Sequence, residues 1–159
     1  MAKKGVLAKG TKVWVLHGTT TKVLTRMDCV KSFEWGDDSV ESIDTTCLDD
    51  TDTKTSEYGI NDPGEGSMMI ETDTQNASHL TLLELAQDKA EVVIYVGWSD
   101  GTAVPTLSGN AVTLPEGRTW DYATAQLRKS PTKYEQGGMN NHTITVKRQS
   151  EVLTEFKSA

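Results

Sequence analysis

The apolar residues of this chain occur in short runs rich in β-branched and aromatic residues, and polar turn residues separate one run from the next. The first run, Thr11–His17, places Val13, Val15 and Leu16 around Trp14. Runs of this length and composition are typical of β-strands, whose side chains alternate between two faces. Because many short strands bury apolar surface by pairing with one another, the pattern predicts a mainly β fold.

Seven further segments carry a strand signal. Glu91–Trp98 is the most apolar of them, which predicts a place at the centre of the sheet. Residues 104–114 contain Pro105 and Gly109 and are predicted to form a weaker strand pair or a loop. The other predicted strands are Val23–Phe33, Glu41–Leu48, a segment from Met68 to Thr72, Thr119–Arg128 and Asn141–Gln149.

One segment has the spacing of an α-helix. Residues Ala77–Lys89 carry apolar side chains at helical intervals, and Asn76 or Ser78 can serve as the N-cap. Three of the apolar side chains are predicted to pack the helix onto the sheet, namely Leu80, Leu83 and Ala86. One helix laid on a sheet gives a mainly β (α+β) fold.

The length and the N-terminal sequence indicate a single domain that is made in the cytosol. A chain of 159 residues can bury a sizeable core as one domain. Met1–Gly5 leads into polar sequence without the apolar stretch of a secretory signal, and no window is long enough to span a membrane. We therefore expect Cys29 and Cys47 to be thiols. The three histidines show no metal-ligand spacing to either cysteine, so no cofactor is predicted.

The charge is distributed unevenly along the chain. Residues 1–33 hold seven basic residues against Asp28 alone, whereas residues 34–100 hold seventeen acidic residues against Lys54 and Lys89. One surface or loop system must therefore be strongly acidic. A basic N-terminal third could contact nucleic acid, but beside so acidic a stretch we prefer ion pairing between subunits.

A polar segment from Asp49 to Gly66 separates two predicted strands. A loop or extended hairpin of this length in a small domain is usually functional. The run Asp49–Asp52 offers three carboxylates that could bind Ca²⁺, yet it lacks the acid spacing and the closing Glu of an EF-hand. A solvated or interfacial acidic loop is the better interpretation.

Known catalytic motifs are missing from the sequence. It contains no G-x-S-x-G, H-E-x-x-H, Walker or dinucleotide-binding glycine pattern. Pairs of carboxylates can be found in any chain this acidic, and they indicate glycosidase chemistry only if a cleft brings them together. The sequence therefore predicts a protein that is not an enzyme.

The stretch from Thr46 to Gly101 has a distinctive order of motifs. Cys47-Leu48-Asp49-Asp50 opens the polar segment, Gly66 leads into a strand, and the helical residues Leu80–Ala86 and the strand Val92–Trp98 follow. In this order of motifs the chain resembles the tail tube proteins of long-tailed, non-contractile bacteriophages. The opening strand, Gly10–Leu16, and the closing strand, Ile144–Arg148, are also similar to that family. The resemblance thus covers nearly the whole chain.

The resemblance implies a β-sandwich or β-barrel flanked by one helix, which forms six-fold rings that stack into a hollow tube. It further implies a virion protein that is assembled in the host cytoplasm, encloses a tape-measure protein, and meets tail terminator and distal tail proteins. DNA would pass through the bore during genome ejection without specific binding. Alternatives are a tail terminator, a tube-like ring protein of a secretion system, and a free-standing β-sandwich binding domain.

The single domain is predicted to carry a flexible N-terminal arm at about residues 1–10, a stacking loop at about residues 48–66, and a C-terminal arm at about residues 150–159. The first two are predicted to make contacts between subunits. The predicted arm contacts are Lys3, Lys4, Lys9 and Lys12. The predicted inter-ring residues are Leu48, Asp49, Asp50, Thr51, Asp52, Lys54, Glu57, Tyr58 and Asp62.

Overall fold

The computed structural model of the protein describes residues 5–158. In that range the chain forms twelve strands and one helix. In chain order they are β1 (Lys12–His17), β2 (Val23–Met27), β3 (Val30–Glu34), β4 (Ser39–Asp44), β5 (Ser56–Asp62), β6 (Glu65–Glu71), α1 (Ala77–Gln87), β7 (Glu91–Gly97), β8 (Thr106–Ser108), β9 (Ala111–Thr113), β10 (Trp120–Lys129), β11 (Asn141–Arg148) and β12 (Leu153–Glu155).

Eight of the strands form one antiparallel sheet in the order β2-β1-β7-β10-β11-β6-β3, with β12 also paired to β10. The two ends of this order, β2 and β3, are consecutive in the chain and only Asp28 and Cys29 separate them. So short a link spans about 11 Å at most. The sheet must therefore curl until its first and last strands come close together, which gives the predicted barrel-like architecture.

The inner face of the curled sheet carries the hydrophobic core. Paired strands place Val13 opposite Val96, Val15 opposite Ile94, and Ile144 opposite Met68 on this face. Each of these side chains is buried, and alternate residues along the same strands point to the outer face. Core and outer positions therefore alternate along these strands with the period of two that is typical of a sheet.

Helix α1 caps the barrel and packs against β2 and β10. Asn76 is its N-cap, as predicted, and its side chain accepts a hydrogen bond from the Ser78 N–H at 3.0 Å. The predicted packing face is wrong in one respect, since Leu80 is 45% exposed whereas Leu82 is fully buried in the core. Of the other two predicted contacts, Ala86 is buried and Leu83 packs partly buried against the core. No helix among the described residues is long and apolar enough to cross a membrane.

Two predicted strands differ from the structure. Val23–Phe33 is interrupted, because Cys29 adopts a left-handed conformation with φ of 51° and turns the chain between β2 and β3. This turn is held by the helix: Ser78 accepts a hydrogen bond from the Asp28 N–H at 3.1 Å, and His79 donates to the Asp28 carbonyl at 2.7 Å. The predicted strand Glu41–Leu48 ends earlier, at Asp44.

The other predicted strands are confirmed. β7 lies in the interior of the sheet between β1 and β10, although β10 holds the central position. The weak pair predicted in residues 104–114 is the small hairpin of β8 and β9. The strands predicted around Met68, from Thr119 and from Asn141 correspond to β6, β10 and β11.

Candidate assembly interface

A second β-hairpin leaves the barrel between β3 and β6. Strands β4 and β5 pair only with each other within the described chain, so they form a two-stranded sheet of their own. Residues 45–55 form the tip that connects them. We refer to residues 39–62 as the projecting hairpin. Of the two predicted alternatives for this segment, a loop or an extended hairpin, the structure has the hairpin. The bounds of the stacking loop predicted at about residues 48–66 are corrected, because Ser56–Asp62 is a strand and β6 already begins at Glu65.

The projecting hairpin is almost entirely exposed. All residues of β4 are exposed, and on β5 the side chains of Tyr58 and Ile60 are 86% and 84% exposed. Val40 and Ile43 are exposed apolar residues on the opposing strand. An isolated two-stranded hairpin is marginally stable in water, and an element that exposes several apolar residues is often an interaction site. The hairpin therefore has the properties of a surface that is completed by a partner.

Hydrogen bonds between threonines close the tip of the projecting hairpin. Thr45 donates its backbone N–H to the carbonyl of Thr55 at 3.0 Å, and the Thr46 hydroxyl accepts from the Thr55 N–H at 2.9 Å. Beyond them the chain turns at Cys47–Asp50, where the Asp50 carboxylate accepts from the Cys47 N–H at 3.1 Å. Leu48 stands at this turn with its side chain fully exposed. An ordered acidic turn thus presents an apolar side chain to solvent.

The projecting hairpin is also strongly acidic. It holds seven carboxylates against the single cation of Lys54. Hydrogen bonds from Thr46 lower the pKa of Asp44, which keeps this carboxylate charged. Nowhere in the described residues does a group of His, Cys, Asp or Glu come together closely enough to hold a metal ion. The acidic run at Asp49–Asp52 lies fully exposed in the tip, so its carboxylates are available to basic groups of another molecule.

The hairpin joins the barrel through a narrow neck of glycines, formed by Trp35–Asp38 on one strand and Pro63–Gly66 on the other. Here the two backbones approach so closely that a Cβ on Gly64 would lie 2.1 Å from the Asp37 carbonyl oxygen. A Cβ on Gly36 would lie 2.4 Å from the Glu65 carbonyl oxygen, and Gly36 also has φ of +79°. Only glycine fits this approach and this backbone conformation.

The predicted site residues are distributed over two parts of the hairpin. Leu48, the three aspartates that follow it, Thr51 and Lys54 lie in the tip, whereas Glu57, Tyr58 and Asp62 lie on β5. Sequence reasoning missed Val40, Ile43 and Ile60, whose apolar side chains share the hairpin. An isolated Ile60 between Gly59 and Asn61 in so polar a segment was the available signal.

The N-terminal arm is attached to the barrel over part of its length. Lys3 and Lys4 lie outside the described residues. The carbonyl of Leu7 accepts a hydrogen bond from the Ser99 hydroxyl, and the carbonyl of Gly10 accepts one from Arg118 at 3.2 Å. Two predicted contacts, Lys9 and Lys12, are exposed, the latter as the first residue of β1. Their ammonium groups are therefore accessible to a neighbouring molecule.

The predicted C-terminal arm is docked on its own chain in this structure. Residues 153–155 form β12, which pairs with the start of β10. Further on, the Lys157 N–H donates to the Thr119 hydroxyl at 3.0 Å, and the Ser158 N–H donates to the Glu116 carbonyl at 2.9 Å. The predicted C-terminal arm at about residues 150–159 therefore lies against its own barrel over residues 153–158 in this structure.

A barrel from which an acidic hairpin projects, with its two strands paired only to each other among the described residues, is typical of a structural protein that assembles with other chains. The chain matches the family model of the lambda-like phage tail tube protein over residues 4–158. It belongs to that family, as its resemblance to tail tube proteins predicted.

A curated relative and two solved structures agree with this family. Over 107 residues the chain is 36% identical to "Structural protein 3" of Pseudomonas phage PAJU2. This match covers 67% of this chain and 64% of that protein. The match therefore spans just under two thirds of the relative's length. At 6% identity and a TM-score of 0.61, all of the chain superposes on all of a chain in the 6-fold symmetrised baseplate of the anti-feeding prophage.

The second structural match is a chain in the sheath/tube terminator of an extracellular contractile injection system, PVC, in its extended state. It has 10% identity and a TM-score of 0.61, and the match covers 98% of this chain and 99% of that one. Identities this low show a shared fold. Family membership confirms that the chain is a non-enzymatic structural component of the phage tail that assembles into the tail tube.

Proposed function

We propose that the chain forms six-fold rings and that the projecting hairpin stacks one ring on the next. The observation that carries this proposal is the hairpin itself, whose strands leave Tyr58 and Ile60 exposed and offer free edges. Such edges and apolar residues are a liability in a monomer, because they promote pairing with other chains. In a polymer they supply the contacts between copies. The six-fold symmetry of the matched baseplate supports a ring of six.

The charge of the chain fits a conduit for DNA. Double-stranded DNA carries about one negative charge per 1.7 Å of its axis, so a basic bore would hold it tightly. The excess of carboxylates in residues 34–100 gives the chain negative charge, which repels DNA. Such a tube encloses the tape-measure protein during assembly, ends at terminator and distal tail proteins, and later conducts the genome into the host. Specific DNA binding has no place in this function.

Substitution of the exposed apolar residues on β5 tests the stacking. The double variant Tyr58→Ser, Ile60→Ser should keep the melting temperature of the monomer, since neither side chain is buried, and should raise the concentration needed for tube growth. Electron microscopy and sedimentation over a concentration series measure that growth. Val104→Ser is the matched control, because Val104 is 59% exposed but lies outside the hairpin. Normal tube growth by the double variant would refute stacking through this surface.

The similarity to a sheath/tube terminator supports a second candidate, a ring that does not polymerise. The same concentration series distinguishes the two. A tube subunit grows longer polymers as concentration rises, whereas a terminator stops at single rings.

A further inference from the structure

We propose that Arg148, acting with Asp38, is a positioning residue that fixes the direction in which the projecting hairpin leaves the barrel. The inference rests on the proposed stacking function, because it assigns Arg148 to that hairpin. Arg148 is the last residue of β11, a strand of the barrel, and its side chain is only 1% exposed. It therefore reaches the neck from a rigid element inside the fold.

The guanidinium group of Arg148 binds the outgoing strand of the neck. Its Nε donates a hydrogen bond to the Trp35 carbonyl at 3.0 Å, and its Nη2 donates to the Gly36 carbonyl at 3.0 Å. The same Nη2 pairs with the carboxylate of Asp38, while Nη1 donates to the Ser150 carbonyl at 3.3 Å. A planar guanidinium with donors in fixed directions restricts both the position and the angle of the backbone that accepts them.

The returning strand is bound through Asp38 and through the backbone of Arg148. Asp38 accepts a hydrogen bond from the Asn61 side-chain amide at 2.8 Å and a longer one from the Gly64 N–H at 3.4 Å. The Arg148 N–H donates to the Gly64 carbonyl, also at 3.4 Å. One ion pair thus connects both strands of the hairpin to β11.

Strand pairing holds only part of the neck, all of which lies in the described part of the chain. On the returning side, Glu65 and Gly66 pair with Lys147 and Val146 of β11, whereas the outgoing side, residues 35–38, belongs to no strand ladder. The ladder between β3 and β6 stops at Glu34–Ser67, and the ladder between β4 and β5 starts at Ser39–Asp62. The intervening glycines add backbone freedom. Without the Arg148 side chain, the outgoing strand would lose the hydrogen bonds that hold its backbone to β11, and the hairpin could pivot about the returning strand.

A fixed direction matters because polymerisation requires the hairpin in one orientation. If only a fraction of monomers holds the binding-competent orientation, the apparent affinity falls by that fraction. Preorganisation removes this cost and leaves the contacts themselves unchanged. Loss of the Arg148–Asp38 pair should therefore weaken assembly even though neither side chain is needed at the stacking surface.

The two native cysteines make this inference measurable in the complete chain. Cys29 lies in the turn between β2 and β3 on the barrel, and Cys47 lies in the hairpin tip; both are exposed free thiols. Spin labels on this pair report the distance between barrel and tip by pulsed electron resonance. The monomer is measured below the concentration of tube growth, and assembly is measured separately on unlabelled protein.

Two variants remove the ion pair, Arg148→Gln and Asp38→Asn. Both should broaden the Cys29–Cys47 distance distribution and raise the concentration for tube growth about tenfold, which corresponds to about 1.4 kcal/mol. Lys133→Gln is the control, because it breaks an exposed ion pair with Glu135 of 3.1 Å that involves neither the hairpin nor its neck. That control should change neither measurement. If Arg148→Gln fails to fold, Asp38→Asn carries the test, since the Asp38 side chain is 25% exposed.

A narrow, unchanged distance distribution in folded Asp38→Asn would overturn the assignment. A broadened distribution with unchanged tube growth would also overturn it, because orientation would then not limit assembly. Failure of the stacking proposal is recognised independently, by normal tubes from the Tyr58→Ser, Ile60→Ser variant. The monomer distance measurement remains valid in that case and still decides whether Arg148 orients the hairpin.

Discussion

Gly97 lies directly beneath the guanidinium group of Arg118 on the outer face of the barrel. A Cβ on Gly97 would stand 2.8 Å from the Arg118 Nε and 2.9 Å from the ring of Trp120. Arg118 is 2% exposed, lies 5.5 Å from the ring centres of both Trp14 and Trp120, and donates hydrogen bonds to four backbone carbonyls. So many fixed partners leave it little room to move aside.

Gly97→Ala should therefore destabilise the monomer by about 1–3 kcal/mol through overpacking. For a domain of this size, each 1 kcal/mol lowers the melting temperature by about 2–4 °C. Gly117→Ala is the matched control in the neighbouring loop, because a Cβ there meets no atom within 4 Å. Equal melting temperatures for the two variants, measured by calorimetry, would show that the Arg118 side chain can move away from the added methyl group at little cost in stability.

The helix offers a second pair of matched substitutions. Leu82 is fully buried in the core, whereas Leu80, two residues earlier in the same helix, is 45% exposed. Leu82→Ala should cost about 2–5 kcal/mol because it leaves a cavity. Leu80→Ala should cost much less, and chemical denaturation of both variants measures the difference. A larger loss at Leu80 would contradict the orientation of the helix.

The same helix shows what the sequence could and could not predict. Its apolar spacing located α1 to within two residues at the C-terminal end, since Gln87 ends it rather than Lys89. Leucines at 80, 82, 83 and 85 surround much of the helix, however, so the spacing did not identify the buried face. The choice depends on the cavity that β2 and β10 leave for it.

The projecting hairpin illustrates a second limit of prediction from the sequence. Strand β5 is polar and contains Gly59, so its own sequence is typical of a loop, and only pairing with β4 across the tip makes it a strand. The buried arginines Arg118 and Arg148 gave no signal either, because an arginine next to a strand is usually solvated. Most of their partners are backbone carbonyls far away in the sequence, which no local pattern reveals.

His142 should make the stability of the barrel depend on pH. Burial lowers the pKa of its imidazole below the ordinary value of 6.5, and the charge of Lys129 lowers it further. Its ring nitrogens lie 2.5 Å from the Thr72 hydroxyl and 2.8 Å from the Thr132 hydroxyl. Because the folded pKa is the lower one, the unfolded chain binds more protons in acid. The stabilisation is present above pH 6.5 and is lost as the pH falls below it.

His142→Gln, which can keep hydrogen bonds to both threonines, should reduce the slope of unfolding free energy against pH between about pH 7 and pH 5. Part of the slope should remain, because burial also lowers the pKa of His17. Urea denaturation at a series of pH values measures both slopes. An unchanged slope in the variant would mean that His142 does not titrate with unfolding.

The final prediction concerns the basic N-terminal segment. The seven basic residues in residues 1–33 are complemented by the seventeen acidic residues in residues 34–100, which every neighbouring copy also presents. Lys9 is exposed beside the anchored carbonyl of Gly10, and Lys12 is exposed at the first position of β1. We expect this segment to contact acidic surface on a neighbouring copy and not DNA.

Reversal of charge at Lys3, Lys4 and Lys9 to Glu should raise the concentration needed for tube growth. Each exposed ion pair contributes only about 0–1 kcal/mol, but the contact repeats in every subunit. Because salt screens such pairs, added salt should impair the native chain more than the variant. Lys133→Glu is the control, since Lys133 is also exposed but lies outside residues 1–33. If the reversed variant assembles as readily as the native chain, and the native chain retards DNA in gels at physiological salt, the segment binds nucleic acid instead.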